Sequence, residues 1–229
     1  MTAKFLQGLQ NDNGGFDSVK VAYYVINALS RLGPESVRLG RDAIEFVRRV
    51  AEGIGAQDAC VELISEIEAV YQAVDVLKTL NLPMDLKKIV KRVLGFKNDD
   101  GSFGRKQDSK IASTHYALMT LKALDQDLNE FWRTRNWIKS CEVPSGGFVG
   151  APNLSPGYVL MEDIYFGVES LDYLGAACGF PNETLRRIAC FQNGNGGFRR
   201  SELMGISGFE STYQALSCIN SLLNRNASV

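Results

Sequence analysis

Histidine is nearly missing: His115 stands alone in 229 residues. A catalytic triad with a histidine base therefore has one place to form, and the commoner role for a lone buried imidazole is a hydrogen-bonded structural one. Cysteine is scarce and poorly spaced. Cys60, Cys141, Cys178, Cys190 and Cys218 are odd in number and make no Cys-x-x-Cys pair. That excludes a zinc-ribbon pattern and favours free thiols in a reducing compartment. Neither sign of charge is in excess. With 25 Lys and Arg against 26 Asp and Glu, the formal net charge is −1, so no basic nucleic-acid footprint exists. The densest basic stretch, Lys87-Lys88 with Lys91-Arg92, has apolar residues at helical spacing and reads as the solvated face of a helix. No signal-peptide pattern opens the chain and no apolar run is long enough to span a bilayer. The expectation is a cytoplasmic protein, in which the Asn-x-Ser/Thr matches at Asn153, Asn182 and Asn226 arise by chance.

What is present is a repeat. A short phrase ending in Gly-Gly-Phe, or a close copy, occurs four times. Its copies end at Gly14-Gly15-Phe16, Gly101-Ser102-Phe103, Gly146-Gly147-Phe148 and Gly196-Gly197-Phe198. The phenylalanines lie 87, 45 and 50 residues apart. The first gap is close to two of the others, so a worn unit is expected between Phe16 and Phe103. A period of this length signals a stacked or circular array of one supersecondary unit.

Each unit reads as a helical hairpin. Before the phrase comes a short amphipathic segment, such as Ile89-Val90 with Val93-Leu94, or Leu185, Ile188 and Phe191. After it comes a longer helical run: Val21 to Leu32, Ile111 to Leu124, Ile164 to Leu174 and Phe209 to Leu223. Two of these share Thr-x-x-Ala-Leu, at Thr114 to Leu118 and Thr212 to Leu216. Glycine accepts the positive φ of a sharp corner, and the adjacent phenylalanine can bury its ring between helices. A polar residue precedes the first glycine by four positions (Gln10, Lys97, Glu142, Gln192) and is expected to bond backbone exposed at the helix end. Pro34 to Leu80 lacks the phrase but keeps two helical runs, Ala43 to Val50 and Leu63 to Leu80, with Gly53-Ile54-Gly55 as its worn corner. The count is five hairpins and about ten helices, and no strand pattern competes. The chain, 45% hydrophobic, is long enough to bury its core as one domain, residues 1–229.

The recurring Gln…Gly-Gly-Phe…Thr-x-x-Ala-Leu pattern resembles the prenyltransferase and squalene-cyclase repeat, in particular that of protein prenyltransferase β subunits. Ser140-Cys141-Glu142 and Cys190-Phe191-Gln192 resemble the Cys-Gln lead-in of that repeat. The resemblance implies an all-α fold, an α/α toroid. The second helix of each hairpin would line an inner ring around an apolar cavity. Family toroids have six hairpins, so five imply an open arc, a smaller closed ring, or a gap covered by a partner.

The catalytic positions implied by the resemblance are substituted. The family's zinc-binding aspartate and cysteine precede a tyrosine. Here the matching segment is Glu162-Asp163-Ile164-Tyr165, which keeps a carboxylate at Glu162 but places Ile164 where the cysteine belongs. The zinc-binding histidine falls at Ser211, before Thr212. Isoleucine cannot ligate a metal, so no zinc and no other cofactor is expected. The family's diphosphate-holding arginine and lysine fall at Pro156 and Val159, neither of which neutralises a phosphate. A cyclase Asp-x-Asp-Asp run is absent, and Asp99-Asp100 belongs to a corner turn.

Candidate ligand-binding residues are therefore those at the starts of the inner runs: Tyr71, His115, Tyr116, Glu162, Tyr165, Phe166 and Tyr213. Aromatic faces there suit isoprenoid chains, and the same pattern also describes a packed helix interface. Arg105, Lys106, Arg199 and Arg200 follow corners and are candidates for an anion at the mouth of the ring, against ordinary loop solvation. Three functions stand open. One is a degenerate member that holds an isoprenoid, another lipid or a partner segment. The second is an active isoprenoid transferase or terpenoid cyclase with a relocated site. The third is a non-catalytic interaction scaffold. Partners in these readings are an isoprenoid or lipid ligand, or a protein, including a second copy, with no nucleic acid and no membrane span.

Overall fold

The structure is a computed structural model and describes residues 2–12, 14–33, 39–54, 65–155, 159–203 and 205–226. Among these residues the chain forms ten α-helices: α1 (Thr2–Gln7), α2 (Val19–Leu32), α3 (Arg41–Ala51), α4 (Glu66–Thr79), α5 (Leu86–Leu94), α6 (Lys110–Ala123), α7 (Trp132–Ser140), α8 (Met161–Tyr173), α9 (Pro181–Cys190) and α10 (Phe209–Asn226). Extended pairing among them is confined to isolated bridges, three of which close corners: Lys97 with Phe103, Glu142 with Phe148, and Gln192 with Phe198. No helix among the described residues is long and apolar enough to cross a membrane.

The helices alternate between short and long, as the repeat requires. The short α5 buries Ile89 and Val93, four residues apart on one face, and its N-terminus is capped by Asp85, whose carboxylate accepts from the Lys88 amide at 3.0 Å. The longer α4 is buried on several sides, with Val70, Ala73, Val74 and Leu77 all fully covered. Within α5, Lys88 and Arg92 are ion-paired with Glu52 and Glu66. The basic stretch is thus partly consumed in pairing within the fold.

All four corners share one hydrogen-bond pattern. In the corner of Gly146, Val143 N donates to Gly147 O at 2.9 Å and Gly146 N donates to Val143 O at 2.8 Å. The same two bonds link Asn11 with Gly15 and Gly14, Asn98 with Ser102 and Gly101, and Asn193 with Gly197 and Gly196. The first glycine of each has φ between 76° and 98°, a conformation that L side chains resist. Phe103, Phe148 and Phe198 are buried and Phe16 is half-buried. The polar residue four before that glycine does not serve the helix end. Gln10 and Gln192 each donate to the carbonyl of their own corner glycine, at 2.8 and 3.0 Å. Glu142 accepts from the Gly179 amide at 2.6 Å, and the Lys97 ammonium sits 4.6 Å over the ring of Phe131.

The helices assemble into two compact units. One comprises residues 1–96 with 120–126, the other 97–119 with 127–229. In the first, α4 packs on α2 and α3, and α1 packs on α2. In the second, α8 packs on α7 and α10, and α9 packs on α10. The worn corner holds Gly53 at φ 78° directly after α3; Gly55 and Cys60 lie outside the described residues. The four described cysteines are free. Cys141 and Cys218 are buried, and burial pushes the Cys141 thiol up to about 12, so it is an inert packing group.

Candidate functional site

The Thr-x-x-Ala-Leu phrase turns out to be a corner clamp. Thr114 Oγ1 accepts from the Phe103 amide at 3.0 Å and donates to Lys110 O at 2.7 Å. Thr212 makes the same pair of bonds, with the Phe198 amide at 3.0 Å and Gly208 O at 2.7 Å. Ala117 and Ala215 are fully buried. In α8 the same register holds Ile164 and Gly167. The residue after the clamp position is His115 in α6, Tyr165 in α8 and Tyr213 in α10, and these three start a network of rings.

His115 is the centre of that network and is 1% exposed. Its ring lies 5.0 Å from Phe166, 5.3 Å from Tyr165, 5.4 Å from Tyr116 and 5.8 Å from Tyr173, centroid to centroid. Tyr116 and Tyr165 each meet Phe166 at 5.8 Å, and Tyr165 meets Tyr213 at 6.1 Å. These are the separations of favourable aromatic pairs. His115 Nδ1 is 3.3 Å from Ser170 Oγ. Burial holds the imidazole pKa down to about 3, so the ring is neutral at physiological pH. Burial, then the neighbouring Tyr213, Tyr173 and Glu169, raises the Tyr165 hydroxyl pKa. The network is therefore uncharged. Tyr116, Tyr165, Phe166 and Tyr173 are half-buried and Tyr213 is 64% exposed, so ring faces remain open above a sealed histidine.

The other candidates fall elsewhere. Tyr71 belongs to the other compact unit, where Tyr23 lies 5.9 Å away and Tyr24 joins Tyr23 at 5.1 Å. Glu162 is paired with Arg200, both carboxylate oxygens accepting from the guanidinium at 2.6 Å. Arg199 donates to Asn193 Oδ1 and Cys190 O and so braces its own corner. Arg105 and Lys106 sit in the loop before α6, where the Arg105 amide donates to Asp108 at 2.7 Å and Lys106 is exposed. Val159 is buried; Pro156 lies outside the described residues.

Three residues were missed by sequence reasoning. Tyr173 and Ser170 complete the histidine's surroundings from the C-terminal half of α8. Their signal was helical spacing from Phe166, at four and seven residues. The third is Asp163. It is buried, and burial and then the Glu162 carboxylate raise its pKa to about 7, against the opposing pull of Arg200 and a bond from the Leu160 amide. Its signal was the acidic pair at the start of a predicted inner helix.

The sequence model of the prenyltransferase alpha-alpha toroid domain matches residues 2–158 and 157–228. The chain belongs to this family. Its fold class is thus the all-α toroid, and the ten helices are its helical repeat. Among solved structures, Candida albicans protein geranylgeranyltransferase-I complexed with GGPP is similar, with a TM-score of 0.74 and 16% identity over 96% of this chain and 76% of that one. That likeness is one of fold. A search of curated proteins finds no match.

The residues of this prenyltransferase-family chain do not fit the zinc centre that the family resemblance implies. Ile164 is fully buried and apolar, Ser211 offers a hydroxyl, and both oxygens of Glu162 are engaged by Arg200. Among the described residues no group of three or more potential ligands converges. Metal ligation needs such convergence, with thiolate, imidazole or carboxylate donors.

Proposed function

We propose that this chain is a degenerate prenyltransferase-family member that holds a neutral isoprenoid or another apolar chain on the aromatic network of α6, α8 and α10. The observation that carries this reading is the uncharged cluster itself: half-open rings of Tyr116, Tyr165, Phe166 and Tyr173 around a neutral, sealed His115. Such a surface rewards apolar burial and offers no cation to a diphosphate. Arg200, the basic candidate beside this helix, already satisfies Glu162. The network's role is to bind and orient an apolar chain away from water, without moving a proton.

Calorimetry with geranylgeranyl diphosphate and with geranylgeraniol tests this. Comparable affinities, and loss of both on Tyr165→Ala, are expected. Much tighter and salt-sensitive binding of the diphosphate would overturn the reading. Binding of neither compound, with no lipid carried through purification, would leave the interaction scaffold.

Asp163 supports a second reading, an active enzyme with a relocated site. A buried carboxyl raised to about 7 keeps about half its protons near neutral pH, and such a group suits a general acid. Product formation from an isoprenoid substrate that disappears in Asp163→Asn, with binding retained, would favour it.

A further inference from the structure

The ring network has a carboxylate at its edge. On α8, Tyr165, Glu169 and Tyr173 follow one another at intervals of four residues and so share one face of the helix. On α10, Tyr213, Ser217 and Ser221 do the same. The two faces meet within one compact unit. Tyr165 lies 6.1 Å from Tyr213, and Ser217 Oγ and Ser221 Oγ donate to Glu169 at 2.8 and 3.1 Å. Besides burial, Tyr213, Tyr173 and Glu169 all act on the Tyr165 hydroxyl, so the carboxylate belongs to the ring surface.

Glu169 is only half satisfied. Both serines donate to the same oxygen, Oε1. Oε2 accepts no hydrogen bond among the described residues and is not sealed from solvent. No Lys, Arg or His among those residues pairs with this carboxylate either, although it is half-buried. The other carboxylates at the start of α8 are engaged, Glu162 by Arg200 and Asp163 by the Leu160 amide. A carboxylate that has given up part of its water is stabilised by a cation that donates to it, and aromatic faces attract a cation through the ring quadrupole. Here an open carboxylate oxygen and the rings of Tyr165, Tyr173 and Tyr213 stand together, with no cation supplied by the described residues.

We propose that Glu169, with Tyr165, Tyr173 and Tyr213, is a subsite for the head of a chain-like ligand, and that the head it takes is an ammonium group. The inference rests on the reading of the network as a surface for an apolar chain, and it adds the chemistry at one end of that chain. The ammonium donates to Glu169 Oε2 while the first carbons of the chain lie against the tyrosine faces. A neutral hydroxyl in the same place gains a hydrogen bond without the charge, and charge-assisted hydrogen bonds are about twice as strong as neutral ones.

Calorimetry of the full chain with farnesylamine and farnesol, one chain with two heads, tests it, each ligand kept below its aggregation concentration. Wild type should bind the amine at least about tenfold more tightly than the alcohol, or ~1.4 kcal/mol. Glu169→Gln keeps an Oε1 acceptor for both serines and removes the charge. It should erase that advantage, through the amine rather than the alcohol. Tyr213→Leu changes a ring that is 64% exposed. It should weaken the amine more than the alcohol, because the cation loses an aromatic face. Melting temperatures will verify that both variants are folded. Equal binding of amine and alcohol by wild type would overturn this inference and leave the apolar-chain reading standing. An amine preference that survives Glu169→Gln would also defeat it. Binding of neither compound would remove it together with the reading on which it rests.

Discussion

Gly167 lies under the ring of Phe148. A Cβ added to α8 at this point would stand 2.3 Å from Cγ and Cδ1 of that ring, where α6 and α10 carry Ala117 and Ala215. The glycine exists so that the corner phenylalanine can enter. Gly167→Ala gains about 1 kcal/mol of helix propensity but forces the ring aside. A net loss of roughly 0–2 kcal/mol is expected, since overpacking costs about 1–3. Phe148→Ala should cost roughly 3–5 kcal/mol. Urea titration reads both. Gly167→Ala combined with Phe148→Leu should lose less than the sum of the single changes, because the two sites touch.

Thr114 is expected to matter through its oxygen more than its shape. Thr114→Val keeps the volume and leaves the Phe103 amide with no acceptor, a loss of about 1–3 kcal/mol for a buried group. Thr114→Ser should stay within about 1 kcal/mol of wild type. Equal losses in the two variants would show that the corner is held by packing alone.

Stability should be nearly flat with pH between about 4 and 6.5, because two buried groups oppose each other there. His115, held down to about 3, stays neutral in the fold and protonates on unfolding below about 6.5. Its contribution is lost as pH falls. Asp163, raised to about 7, stays protonated in the fold and ionises on unfolding above about 3.9. Its contribution is full below that point and is lost as pH rises through 7. In His115→Asn stability should therefore fall as pH rises from 4 to 6.5, by up to about 1.4 kcal/mol per unit. In Asp163→Asn it should fall as pH drops across the same window. Denaturant midpoints at three pH values decide the signs.

Metal analysis of protein purified without chelators is expected to find zinc well below one per chain, because Ile164 and Ser211 stand where two ligands would be needed. One tightly held zinc per chain would overturn the matching of residues 162–165 and 211 to the family's ligand positions. The protein's melting temperature should likewise be unmoved by zinc or by its removal, since ligands that bind only the folded state raise it.

The architecture was legible in the sequence because corners are local. A glycine at positive φ, a phenylalanine two residues on and a polar residue four before it lie within seven positions, and their repetition counted the hairpins. The lack of a metal donor at residue 164 was equally legible, since isoleucine has no donor atom whatever surrounds it. Burial and partnership belonged to the tertiary structure. His115 became a sealed, neutral centre because Tyr116, Tyr165, Phe166 and Tyr173 close over it from two helices. Tyr71 and Tyr165 looked alike in sequence and ended in different units. Glu162 found Arg200, 38 residues away, and Asp163 beside it lost its water and its ordinary acidity. Glu162 and Glu169 share a helix. What separates them, among the described residues, is whether a cation lies within reach, and a residue's own neighbours in sequence carry no record of that.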